Sequence, residues 1–505
     1  MNLTVLPVLL PMLTGLIALL WSRPTAVRRT AIVASTLGQL GVALFLGALS
    51  YAQGPLVLPV GGWGTTLGIV LVVDLLSAIM LALSSFTALA CVLYACAEKP
   101  AAAEHPLQLP LTQFLVVGVN LAFVTGDMFN LFVAFEVMLV TSYALLTLES
   151  DNRNVRHAWS YLGLNLVGSA LFLLGCGYAY GLFGTLNFAE MALQADALAG
   201  DPRLVLLALV FLVVFGLKAG VFPFYYWLPE SYPILPGPVA AFFSGMLTKV
   251  GVYVLLRVFG TVFPPSLPLV YELLAWGAGL TMVLGVLGAV AQSRVQHILS
   301  YHIVSQIGFM VLAIGFHTPL AFTAAILYII HHIVVKSALF LVGGTVRHVF
   351  GTDRLDATGG LWRVAPWLGI AFLIQAMSLA GLPPLSGFWG KYLILVEGVG
   401  EERWVLLAAA IVASILTLVS MLKIWLACFW APAPEGGMPA PRPGTRRMTT
   451  VVVGMTAVSL VIGLGVNFFY GVADRAARQV LDRPAYIEAV TGRPAPGAET
   501  ILSLR

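Results

Sequence analysis

The chain has 505 residues, of which 60% are hydrophobic and only 10% charged, and its formal net charge is +4. A soluble globular protein of this length needs far more charge to cover its surface, so the composition points to an integral membrane protein. The positive excess comes without a basic patch interleaved with aromatics, which argues against nucleic acid as a partner, and the ~10-residue alternating segments of a membrane β-barrel are missing.

In chain order, fourteen apolar runs alternate with short polar connections: segments 1 to 14 cover 2–22, 29–50, 67–96, 107–125, 127–148, 158–183, 203–228, 237–260, 269–291, 297–316, 320–346, 366–396, 403–431 and 447–471. Each can bridge the ~30 Å hydrocarbon layer at about 1.5 Å per residue. The fold class expected is therefore an all-α polytopic membrane protein with about fourteen transmembrane helices. Segment 1 lacks a basic leader and an A-x-A cleavage site, so it reads as a retained helix. The odd-numbered connections hold thirteen basic residues (Arg23, Arg28, Arg29, Lys99, Arg153, Arg156, Arg294, Arg347, Arg354, Arg363, Arg442, Arg446 and Arg447) against three in the even-numbered ones (Arg203, Arg257 and Arg403). That bias puts both termini, and the polar tail after Gly471, on the outer side of a cell (inner) membrane.

Against this background the six lysines stand out, because Lys218, Lys249, Lys336, Lys391 and Lys423 lie inside apolar segments and only Lys99 lies in an evident loop. An ammonium at mid-bilayer depth costs roughly 2.5 kcal/mol even on insertion scales. Segment 3 opens near Asp74, which fits an interface anchor and an ion-entry carboxylate equally. Segment 5 carries Glu136 six residues after Asn130, near the centre of its apolar run. Segment 7 is interrupted at F-G-L-K-A-G-V-F-P, with Lys218 five residues before Pro223. Proline removes a backbone donor, and broken helices at membrane depth must face protein or water, as transport pathways do. The carbonyls of such a half-helix end can hold an ammonium, and burial disfavours the charged form, so Lys218 is placed to release and regain a proton. Lys249 follows deep in segment 8.

Segment 10 adds His302, for which a relay step and a satisfied core residue both remain open. In segment 11, His332 and Lys336 are four apart and share one helix face, as a relay requires, while His331 points about 100° away and reads as packing. Segment 12 is broken at A-G-L-P-P-L-S-G-F-W-G-K, with Lys391 seven residues after Pro384. Lys423 in segment 13 is near enough to a boundary to snorkel. The four cysteines lack metal-ligand spacing, and no cysteine cluster, P-loop or dinucleotide fingerprint is found, so neither cofactor nor metal is expected.

The two breaks resemble each other: Ala219-Gly220-Val221-Phe222-Pro223 aligns with Ala380-Gly381-Leu382-Pro383-Pro384 at an offset of 161. This suggests two inverted five-helix repeats, segments 4–8 and 9–13, since an odd number of helices turns the second copy upside down. The organisation expected is N-terminal helices over 1–106, a first repeat over 107–260, a second over 269–431, and a last helix with its tail over 447–505.

F-E-V-M in segment 5, L-K-A-G-x-x-P in segment 7, P-G-P-V-A-A-F-F-S-G-M-L-T-K-V-G-V-Y in segment 8, S-Y-H-I-V-S-Q-I-G, H-H-I-V-V-K-S-A-L-F and G-L-P-P-L-S-G-F-W-G-K-Y together form a specific set. Over about residues 60–430 the chain resembles the proton-translocating, antiporter-like subunits shared by complex I and the Mrp-type multisubunit cation/proton antiporters, and it is most similar to the D-subunit branch of the latter. Gln296-His297 departs from the family's usual Lys-Arg pair before segment 10. The resemblance implies that Glu136 pairs with Lys218, and that Lys249 passes protons through His332 and Lys336 to Lys391; the relay step open to His302 would, from its place in segment 10, link the two halves. It also implies no prosthetic group, Na⁺ or K⁺ exchanged for H⁺, and several membrane partners, including a larger homologous subunit. A proton-pumping subunit of a redox complex and a scaffold whose lysines pair helices are the alternatives.

Overall fold

The computed structural model describes residues 3–21, 23–148, 152–433 and 442–493, without the side chains of 66–67 and 152–157. Arg153 and Arg156, the centre of the connection after segment 13 and the tail beyond Arg493 therefore lie outside the described side chains or residues. Among the described residues, twelve helices are long and apolar enough to cross a membrane, and two shorter apolar ones, Gln108–Val124 and Pro366–Ala380, stand where segments 4 and 12 were expected. The second of these is continued, after the break, by Ser386–Gly400. The chain is a polytopic helical membrane protein.

Two helical runs form the centre. Gly237–Val262, which carries Lys249, and Pro319–Phe350, which carries His331, His332 and Lys336, are completely buried over their most apolar stretch. A helix hydrophobic on all sides can be accommodated only inside a bundle. The peripheral helices near the N-terminus, Leu3–Leu20 and Ala26–Gln53, bury only 28% of theirs.

Close crossings depend on absent side chains. A Cβ on Gly251 would lie 2.5 Å from the amide nitrogen of Ala219, so the Lys249 helix touches the backbone of the Lys218 helix. A Cβ on Gly237 would stand 3.2 Å from the Cα of Gly344, fixing the other end of the same run against the central helix.

The structure corrects the sequence reading at three places. Segment 3 begins at Leu75, not 67, because Val70–Val73 is a strand paired antiparallel with Leu56–Pro59. Its β-branched residues follow a glycine-rich turn and precede Asp74, whose side chain caps the helix by accepting from the Ser77 amide at 2.9 Å. Segment 14 ends at Leu464, and Gly465 separates it from an amphipathic helix, Val466–Leu481, which joins the expected end of segment 14 to the start of the expected polar tail. Small and apolar residues at 473, 476, 477 and 480 make that helix's buried face, a 3.6-residue pattern among charged positions. Arg257 is not in a connection. It is buried within its helix and paired with Asp74.

The remaining charges divide the bundle into two ends. Arg28 and Arg29 both bind Glu104, Arg294 binds Asp353, and Lys423 reaches backbone carbonyls at one end. The hairpin, the Phe188–Ala197 helix, His317 and Arg483 lie at the other. We expect Gly251→Ala to destabilise the detergent-solubilised protein by about 1–3 kcal/mol through overpacking, lowering its thermal midpoint. Gly454→Ala, where a Cβ meets nothing within 4 Å, should leave that midpoint unchanged.

Candidate functional site

The first helix break is built by Gly220. Its left-handed backbone (φ 79°) ends Pro202–Ala219, and the amides of Gly220 and Val221 turn back onto the carbonyls of Leu217 and Gly216. Trp227 Nε1 donates to the Leu217 carbonyl at 3.1 Å, and the Phe222 amide donates to Thr281 Oγ1 at 2.9 Å. The carbonyls of Gly216 and Leu217 are thus taken, and Lys218 turns to a neighbouring helix. Its Nζ donates to the Asn165 carbonyl at 3.2 Å and to Ser169 Oγ at 3.1 Å, with the Phe135 ring 5.6 Å away. The expected acceptors at the break are not the ones used.

Glu136 also differs from expectation. Its Oε1 is buried and makes no hydrogen bond, and no ion pair joins it to Lys218 among the described residues. The two charges interact through space only.

Lys249 lies two residues beyond a π-helical stretch, Phe243–Leu247. Widening the helix there redirects the Ser244 carbonyl, which accepts from Lys249 Nζ at 2.6 Å beside Thr248 Oγ1 at 3.1 Å. On the adjoining central helix, His332 and Lys336 are wholly buried, and among the described residues neither ring nitrogen of His332 nor the Lys336 ammonium has a hydrogen-bond partner. His332 interacts electrostatically with Lys249, Lys336 and Lys391, and His302 with Lys336 and Lys391. These groups form one electrostatic cluster, with Glu136 and Lys218 as a separate pair.

His302 Nε2 meets Ser420 Oγ at 2.5 Å, and Gln306, one turn on, donates to Thr417 and accepts from Tyr328. The second break repeats the first. Gly381 (φ 93°) ends Pro366–Ala380, and the Leu382 amide returns to the Met377 carbonyl as that of Val221 returns to Gly216, the same offset of 161. Here the lysine follows the break and uses it: Lys391 Nζ donates to the carbonyls of Leu379 (3.0 Å) and Ala380 (3.1 Å) and to Ser414 Oγ (3.2 Å), 4.5 Å from the Phe309 ring.

Three features escaped the sequence reading. His331 is not merely packing: its Nδ1 is 2.7 Å from Ser386 Oγ, inside a chain of hydroxyls from Ser378, Ser386 and Ser459 at the second break. The π-helical stretch beneath Lys249 has no proline or other marker. The Asp74–Arg257 pair could have been suspected, since Lys249, Tyr253 and Arg257 recur at intervals of four on one face. Lys423 stands apart, half-buried, donating to the carbonyls of Val290 and Gln292 at the helix edge. Among the described residues no three His, Cys, Asp or Glu side chains gather as a metal site would require.

Residues 125–417 match the family described as NADH:quinone oxidoreductase/Mrp antiporter, transmembrane. The chain belongs to that family. It is 40% identical over 489 residues, 97% of its length and 99% of the relative's, to the D-subunit of the Na⁺/H⁺ antiporter of Alkalihalophilus pseudofirmus. The D-subunit of the Na⁺/H⁺ antiporter of Bacillus subtilis is 34% identical over the same shares. The fold matches a chain of the Mrp complex from Dietzia sp. DQ12-45-1b with a TM-score of 0.90 and 31% identity, over 97% of this chain and 99% of that one. Both helix breaks and every buried lysine fall within or just beside the family match.

Trp227→Phe removes the indole donor, leaving the Leu217 carbonyl only the Gly220 amide, and shrinks a buried ring at the first break, which together should cost about 1–3 kcal/mol. The checking measurement is thermal unfolding in detergent, with Trp367→Phe, whose ring lies on the exposed surface, as the silent control.

Proposed function

We propose that this chain is an ion-translocating membrane subunit of a multisubunit monovalent cation/proton antiporter, a secondary transporter and not an enzyme. Family membership and the two D-subunit relatives support the class. The observation that carries the proton role is the wholly buried, unpartnered set of His332 and Lys336 between Lys249 and Lys391. Buried polar atoms without partners are rare because each forfeits hydration. A row of them beside two acceptor-held lysines is the arrangement that mobile protons need, with water bridging the gaps.

In this reading Glu136 acts on Lys218 at a distance, Lys249 connects to His332 and Lys336, His302 joins the halves, and Lys391 is the terminal group. The magnitudes agree. Moving one charge across 100 mV is worth about 2.3 kcal/mol, the interaction of two unit charges ~7 Å apart at an effective dielectric near 20. A neighbour that gains or loses a charge can therefore gate a lysine against the membrane potential without touching it.

The shared hydrogen-bond pattern of the two breaks supports the inverted repeats over 107–260 and 269–431. The arginine bias supports a cell-membrane orientation with both termini outside. Na⁺ or K⁺ is the exchanged cation, and the partners are other membrane subunits, a larger homologous one among them.

Glu136→Ala and Lys218→Ala should each abolish cation-dependent proton movement in everted vesicles while the complex still co-purifies. Lys218→Arg should fail to rescue, because a guanidinium does not release its proton. Near-normal exchange in both alanine variants would refute the assignment.

A further inference from the structure

Lys249 shares its helix face with two polar residues that the proton line does not use. Lys249, Tyr253 and Arg257 follow at intervals of four, so they lie along one helix face that rises from the central lysine toward the end of the bundle opposite the arginine-rich connections. The Tyr253 hydroxyl donates to the Phe123 carbonyl at 2.8 Å and is 3.1 Å from Ser77 Oγ. Above it the Arg257 guanidinium grips Asp74 with both terminal nitrogens, at 2.6 and 2.7 Å. Arg257 is 3% exposed and Asp74 1%.

Outward of the pair the C-terminal helices close over it. The Tyr486 ring lies 5.7 Å from the guanidinium carbon, Gln479 accepts from the Leu75 amide next to Asp74, and the Val480 carbonyl accepts from Thr261 Oγ1. Beyond Tyr486 a cavity of about 730 Å³ is lined by Asp196, Gly260, His317, Arg483 and Ile487. Gly260 is three residues past Arg257. The guanidinium therefore stands between the central lysine and a largely apolar recess at the far end whose polar groups are Asp196, His317 and Arg483.

We infer that Arg257, held in place by Asp74, is a fixed-charge barrier that stops Lys249 from discharging protons directly to the outer side and so obliges them to continue to Lys391. This rests on the proton line proposed above. A guanidinium keeps its charge at any relevant pH, and a fixed arginine in a narrow polar path excludes protons and cations. Asp74 offsets the cost of burying that charge and fixes its place. Tyr253 supplies the polar step that would otherwise complete a shortcut. Arg257 is a positioning residue in this scheme: it takes no proton.

The test uses the intact complex in proteoliposomes, in choline salts free of Na⁺ and K⁺, with a permeant anion to carry the counter-charge. An imposed pH step is followed by an internal dye. Arg257→Gln should raise passive proton entry about tenfold, the factor that one unit charge ~12 Å away makes at a dielectric near 20. Arg257→Lys should restore the seal. Asp74→Asn breaks the pair but keeps the guanidinium, so it should stay tight, whereas a merely structural ion pair would make both single variants behave alike. Adding Lys249→Ala to Arg257→Gln should remove the leak.

A tight Arg257→Gln variant, an equal leak in Asp74→Asn, or a leak that survives Lys249→Ala would each overturn the inference. If Arg257→Gln does not co-purify with its partners, the neutral Asp74→Asn/Arg257→Gln pair replaces it, with a leak expected from loss of the fixed guanidinium but below tenfold, because the lost carboxylate offsets most of the charge change. Failure of both to assemble would make the pair an assembly element and end the barrier reading. Failure of the proton line itself is seen elsewhere, as cation-dependent exchange that survives Glu136→Ala and Lys218→Ala.

Discussion

A buried ammonium must find oxygen, and in a helical bundle regular helices have already committed their carbonyls to amide donors. That conflict organises this protein. Lys391 takes two carbonyls from the end of the half-helix Pro366–Ala380. Lys249 takes one redirected by the π-helical stretch Phe243–Leu247. Lys423 takes two from the end of Pro268–Ala291. In these three cases an irregularity or a helix end supplies the acceptor of a cation. Lys218 is the variant case, sharing the Asn165 carbonyl and adding the Ser169 hydroxyl. Among the described residues, Lys336 is the buried lysine that has no acceptor.

The two halves reach the same break by the same glycine conformation yet use it differently. In the first, Trp227 and Thr281 occupy the groups freed at the break, and the lysine precedes it. In the second, the freed carbonyls are left for the lysine that follows. A shared backbone device therefore serves a lysine facing a lone carboxylate at a distance in one half, and a lysine bound directly in the other. His331, with its hydroxyl neighbours, belongs to the second arrangement and has no counterpart around Lys218.

Much of this was legible in the sequence because lysine, proline and glycine are conspicuous in apolar runs. The breaks near Gly220 and Gly381, the depth of Lys249 and Lys336, and the marginal place of Lys423 all follow from position alone. What was not legible depends on three-dimensional detail. A π-helical stretch arises from packing and leaves no signature in F-S-G-M-L. Arg257 near the end of an apolar run looks like a connection residue until Asp74, 183 positions earlier, is seen to meet it. Glu136 and Lys218 suggested a contact because opposite charges in lipid ordinarily join, but their helices hold the groups apart. The amphipathic helix after Gly465 was hidden by its charge, and the strand before Asp74 by its hydrophobicity.

The helix Pro319–Phe350 runs unbroken for 32 residues, about 48 Å, through the middle of the bundle. It is flanked by helices that are cut or bulged, and it is itself neither. Such a rod has no hinge, and its apolar central stretch has no free surface, so it can neither bend nor roll there without disturbing its neighbours. In mechanical terms it is an axle: any working motion must be taken up by the interrupted helices around it, while the groups it carries keep their spacing.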